Sequence, residues 1–91
     1  MVKILNSYII SYDLNNQKDY DSLITAIETY SHAARINKSV WFIKSNDTVK
    51  EIRDSLGELI DKDDSLFVGK LTGAAAWRNV ICSNKHLKDN L

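Results

Sequence analysis

Tyr8-Ile9-Ile10-Ser11-Tyr12-Asp13-Leu14-Asn15-Asn16 is the stretch that decides the fold. The β-branched and aromatic residues from Tyr8 to Tyr12 mark a largely buried strand, and Leu14-Asn15-Asn16 is the turn cluster that ends it. Side chains alternate along a strand, so Tyr8, Ile10 and Tyr12 take one face while Ile9, Ser11 and Asp13 take the other. The first face is apolar throughout. The second ends in a carboxylate, and the Tyr12-Asp13 strand end is where chemistry is expected.

Beyond the turn, Tyr20, Leu23, Ile24, Ile27 and Tyr30 recur at i, i+3, i+4, i+7 and i+10, the apolar stripe of a helix. Asp19 and Asp21 suit its positive N-terminal end. The segment from Arg35 to Lys44 is strand-like again, and Asn37-Lys38 offers a tight turn or bulge within it, giving two short strands or one kinked strand. Thr48 and Glu51 have the spacing of a capping box ahead of a second stripe formed by Val49, Ile52, Leu56, Leu59 and Ile60. Gly57 inside that helix costs about 1 kcal/mol relative to alanine. Asp61-Lys62-Asp63-Asp64 turns the chain into a last main strand, Ser65 to Thr72, stopped by Gly73. In the tail, Ser83 is placed to cap a final helical turn that carries Leu87 and Leu91 inward.

The order β-α-β-β-α-β, with each helix apolar on one stripe, predicts helices on one face of a mainly antiparallel sheet. This is an α+β, ferredoxin-like sandwich, one domain over 1–91 with a core of about 8–73 and a tail of 74–91. The opposite sheet face then needs polar side chains or a partner. A 91-residue domain buries only about two-thirds of its unfolded surface, which gives self-association an energetic reason and makes a homodimer the expectation.

An apolar fraction of 44% with 26% charged residues excludes a disordered chain. Twelve basic and twelve acidic residues cancel, which argues against coating nucleic acid by bulk positive charge. The charges are uneven: acids crowd Asp54 to Asp64, and bases prevail from Lys70 onward. That unevenness is either a basic end or two solvated surfaces. No apolar run is long enough for a membrane span, and Cys82, the single cysteine, has no disulfide partner, so a reduced cytoplasm is expected. Cys82 reads as an inert, half-buried thiol. His32 and His86 lie far apart in sequence, and no zinc-ligand spacing is present.

Several of these segments, in order, resemble the small nucleases of the CRISPR adaptation machinery, the second of the common CRISPR-associated proteins, and the related VapD-type toxin ribonucleases. Tyr12-Asp13-Leu14 is similar to the end of their first strand. Arg35-Ile36-Asn37-Lys38-Ser39-Val40-Trp41 resembles their Arg-hydrophobic-Gln-x-Ser-Val-Phe segment, with Asn37 for glutamine and Trp41 for phenylalanine. Asp64-Ser65-Leu66-Phe67-Val68 matches their last strand, begun by Asp. Ser11 to Asn15, Ser39 to Lys44 and Leu71 to Trp77 also look like the uncharacterised bacterial and phage proteins labelled SinR-like; no helix-turn-helix pattern accompanies that likeness.

The resemblance implies a dimeric, metal-dependent ribonuclease or nuclease in which Asp13 from each chain ligates Mg²⁺ across the two-fold axis. Two carboxylates and several waters suit that hard ion. Read from the residues alone, Asp13 is also an ordinary turn starter that accepts backbone N–H bonds. The VapD likeness points to His32 as a proton-transfer group. Arg35, Lys38 and Lys44 are candidates to meet phosphates, and Tyr12, Trp41 and Trp77 to stack on bases. Tyr12, Ser39 and Trp41 are alternatively dimer contacts. The competing function is a non-catalytic interaction module, an adaptor or phage-borne inhibitor that keeps the dimeric fold and binds another protein.

Overall fold

A computed structural model describes residues 5–15 and 20–91. The elements are β1 (Asn6–Asp13), α1 (Asp21–Glu28), β2 (Ser31–Asn37), β3 (Val40–Ser45), α2 (Val49–Gly57), β4 (Ser65–Leu71) and α3 (Asn84–Asn90). The readings placed on Asn16 and Asp19 lie outside the described residues. The four strands form one sheet in the order β2-β3-β1-β4, with every neighbouring pair antiparallel. The chain is therefore an α+β, ferredoxin-like sandwich.

The alternation on β1 decides what the helices cover. Tyr8, Ile10 and Tyr12 pack with Trp41 and Ile43 of β3 beneath Leu23 and Ile27 of α1 and Ile52 and Leu56 of α2, one continuous apolar core. α2 begins with the expected reciprocal cap: the Thr48 hydroxyl accepts the Glu51 N–H at 3.1 Å, and the Glu51 carboxylate accepts the Thr48 N–H at 3.0 Å.

Four local expectations are corrected. Both helices are shorter than their apolar stripes: α1 ends before Tyr30, and α2 ends at Gly57, leaving Leu59 exposed. Glycine loses the most freedom in a helix, and its position coincides with the stop. The second and third strands are separate, and the turn between them is Lys38-Ser39 rather than Asn37-Lys38. In the tail, Leu87 is buried as expected, but Leu91 is 37% exposed.

The second sheet face, called outer below, is partly covered by the chain's own tail. The Ile81 and Cys82 N–H groups donate to the carbonyls of Ile36 and Arg35, each at 2.9 Å, which pins the tail to β2. Ser83 caps α3 by accepting the His86 N–H, and Leu87 is then buried against the sheet. The Ser7 hydroxyl donates to the Asn90 carbonyl at 3.2 Å. The His86 ring meets Phe42 edge-on at 6.1 Å, and its Nε2 lies 2.8 Å from the His32 carbonyl, which can only accept, so Nε2 donates. His32 itself has φ of +55° where the β2–β3 register shifts, an uncommon conformation for a residue with a side chain. The two histidines, distant in sequence, are thus in contact, with ring centroids 6.4 Å apart.

Candidate functional site

Asp13 is the last residue of β1, exposed, on the outer face, with Ser65 of β4 as its register partner. Its carboxylate has no hydrogen bond or ion pair to any other described residue. The neighbouring outer-face pair is Ser11 and Phe67. The Phe67 ring is 64% exposed and folded over Gly69, where an added Cβ would come within 2.9 Å of it. Asp13 therefore stands beside an apolar ring that nothing in the described chain covers.

The alternative reading of Asp13, as the residue that closes its own turn, is not what holds this loop. Asp64 does that work. One of its oxygens accepts the Asn15 N–H at 2.9 Å and the other accepts the Asp61 N–H at 2.9 Å, while the Tyr20 hydroxyl donates to the same carboxylate at 3.2 Å. The Asn15 side-chain amide also donates to the Asp63 carbonyl. Asp61, Asp63 and Asp64 each offer a carboxylate oxygen within 4.8 Å of the others, at the same end of the sheet as Asp13. Asp64 spends its oxygens on backbone donors, and this clamp was missed from sequence, where Asp64 shows only as a strand-starting acid.

The remaining candidates separate into two ends of the sheet. Near Asp13, the Tyr12 N–H donates to the Ser39 carbonyl at 3.1 Å, so Ser39 contributes backbone to the β1–β3 seam. Tyr12 and Trp41 are only 7% and 6% exposed, on the helix side of the sheet. The Trp41 indole donates to the Tyr12 hydroxyl at 3.3 Å, and the Arg35 guanidinium lies 5.3 Å from the Trp41 ring centroid. These two rings are packed within the protomer, not presented for bases, because both belong to the alternating set that faces the helices. Arg35 also donates from Nε to the Lys38 carbonyl at 3.1 Å, and Lys38 is exposed in the turn.

Lys44 and His32 sit at the other end. Lys44 is the register partner of Ser7, six residues before Asp13, a separation of about 20 Å along the strand. His32 lies beside Ser31, which also pairs with Lys44, and its carbonyl is taken by His86. The fold does not bring His32 to Asp13. Trp77 is half-buried beside the outer face, its indole donating to the Asn84 side chain at 3.1 Å. Cys82 is half-buried, and desolvation pushes its thiol pKa above the ordinary value against a smaller lowering by a backbone hydrogen bond.

Among the described residues no helix is long and apolar enough to cross a membrane. Residues 6–79 match the family described as CRISPR associated protein Cas2. The fold is also similar to the crystal structure of a hypothetical protein from Thermus thermophilus, with a TM-score of 0.66 and 19% identity over 84% of this chain and 94% of that one. The latter likeness is one of fold. The matched span stops before α3, so the helix lying on the outer face falls outside it.

Proposed function

The chain belongs to the CRISPR-associated Cas2 family, and from that premise we propose that it is a dimeric, metal-dependent ribonuclease or nuclease acting on phosphodiester bonds, with Asp13 as its metal ligand. The observation that carries this reading is the position of Asp13: exposed, unpartnered among the described residues, and on the sheet face where Phe67 is uncovered. A carboxylate committed to its own loop would be a poor ligand, and here Asp64 relieves Asp13 of that duty.

The donor set fits Mg²⁺, which takes hard oxygen ligands and keeps several waters. One Asp13 from each of two chains would hold it. The chemistry such an ion would supply there is polarisation of a phosphodiester and a lowered pKa for an attacking water, with the Asp13 carboxylates as the groups that would hold it. The protein's own contribution is to position: the Asp64 clamp fixes the loop after Asp13, and Lys38, exposed at the same end, is available to a phosphate. Arg35 supports that end by holding the Lys38 carbonyl.

The test is cleavage of single- and double-stranded RNA and DNA by the purified protein with Mg²⁺ or Mn²⁺, beside Asp13→Ala and a measurement of mass in solution. Metal-dependent cleavage by a dimer, lost in Asp13→Ala, is expected. Cleavage that survives the substitution, or none with any substrate, would sink the proposal. The second reading, a non-catalytic interaction module, is favoured by one specific observation: Asp13 is the only acid on β1, and the nearby Asp64 already serves backbone donors. A stoichiometric protein partner that Asp13→Ala still binds would support it.

A further inference from the structure

The two phenylalanines of the outer face have opposite fates. Phe42 of β3, met edge-on by His86 of the tail, is 0% exposed, whereas Phe67 of β4 is 64% exposed, more than any other large apolar side chain among the described residues. The antiparallel register sets Asp13 opposite Ser65, Ser11 opposite Phe67 and Ile9 opposite Gly69 on this face. Phe67 is therefore two residues along β4 from the level of Asp13, about 7 Å.

Gly69 makes the Phe67 ring lie low. The two residues share the outer face, and a Cβ at Gly69 would come within 2.9 Å of the ring's Cε1 and 3.4 Å of its Cζ. Glycine is what permits so close an approach, and any side chain there would push the ring off the strand. The ring is exposed, so it would move rather than strain the sheet.

A two-fold contact sets one patch against its own image, so the patch must suit itself. Ser11, Ser65, Phe67 and Gly69 meet that condition: they are small or apolar, and none carries a charge to be repelled. The acid beside them, Asp13, is the group that the proposed metal site needs from both copies. Aromatic side chains are also the residues that the cores of such contacts favour. Burying Phe67 between two copies and bringing two Asp13 carboxylates to one ion are then a single event.

We propose, resting on the two-copy reading above, that Phe67 is a positioning residue: it is the apolar anchor between two copies of this chain, and Gly69, by letting its ring lie low, sets how closely the two Asp13 carboxylates approach. Mg²⁺ tolerates little change in the distance to its ligands, so a raised ring would cost metal binding before it cost the dimer.

The test uses the full chain, with the dimer dissociation constant read by sedimentation in Mg²⁺ and the affinity for Mn²⁺ read by the electron-spin resonance of the free ion. Phe67→Ser should raise the dissociation constant at least about tenfold, as for loss of an interface anchor, and Phe67→Leu far less. Gly69→Ala should leave a dimer that binds Mn²⁺ at least about tenfold more weakly. In the Phe67→Leu background, which lacks the Cε1 and Cζ atoms that an added Cβ would meet, Gly69→Ala should leave Mn²⁺ affinity unchanged. A monomeric wild-type protein, a Phe67→Ser dimer as tight as wild type, or an equal effect of Gly69→Ala in both backgrounds would each overturn the proposal. A dimer weakened by Phe67→Ser in a protein that cleaves nothing would support it and sink the nuclease reading alone.

Discussion

The Asp64 carboxylate accepts the backbone N–H of Asn15 at 2.9 Å across 49 residues of sequence. Through that bond the loop leaving β1 is tied to the turn that starts β4, and the Asp13 end of the sheet is held from two sides. Asp64→Ala should destabilise the protein by about 1–3 kcal/mol, because two backbone donors lose their acceptor. Asp64→Asn should not restore it, since an amide offers one oxygen where two face N–H groups. Urea unfolding of both variants measures this.

Asp13 presents the contrast. Its carboxylate has no partner among the described residues, so Asp13→Ala should change stability by no more than about 0.5 kcal/mol. Loss of metal-dependent cleavage in a variant that unfolds at the wild-type urea concentration would separate a ligand from a structural residue.

Tyr12→Phe removes the acceptor of the buried Trp41 indole and of the Arg35 guanidinium without opening a cavity. The expected loss is about 1–3 kcal/mol, the desolvation penalty of a donor left unpaired. The Trp41 indole N–H should also exchange faster with solvent, which hydrogen-exchange NMR would report.

Leu87→Ala tests the tail. Leu87 is 2% exposed and anchors α3 to the outer face, so truncation should cost about 2–5 kcal/mol if the site does not collapse. The Ile81 and Cys82 amides, bonded to β2, should lose protection before the amides of β1, showing that the tail opens ahead of the sheet.

Tyr30 carries a pH signature. Burial, and secondarily the negative charge of Asp47, raise its pKa above the ordinary 10.0. Between the unfolded and folded values the native state binds the proton that the unfolded state has released, so stability should fall as pH rises through that window. Tyr30→Phe should flatten the fall, and the part of the folded protein's phenolate absorbance that this substitution removes should be one that appears above pH 10.0.

Much of the sheet was legible because its signals are local. The alternation of Tyr8, Ile10 and Tyr12 against Ile9, Ser11 and Asp13 declares two faces, and the core takes the first as expected. The Thr48-Glu51 box and the Ser83 cap are likewise made by residues three apart, whose spacing nearly determines their contact. Helix ends were less legible: Tyr30 and Leu59 continue the apolar periodicity after the backbone has left the helix, because a periodic stripe registers burial and not hydrogen bonding.

The sequence by itself determined the element order, the helix-facing side of the first strand and the strand-end position of Asp13, all set by neighbours within one turn or one pleat. Tertiary structure alone decided what each candidate touches. It enclosed Tyr12 and Trp41, moved Lys44 and His32 to the far end from Asp13, brought His32 against His86, and laid the tail over part of the outer face. These outcomes depend on strand order and on contacts between residues tens of positions apart. Local propensity carries no record of such distances, because long-range pairing is chosen by how the faces bury together.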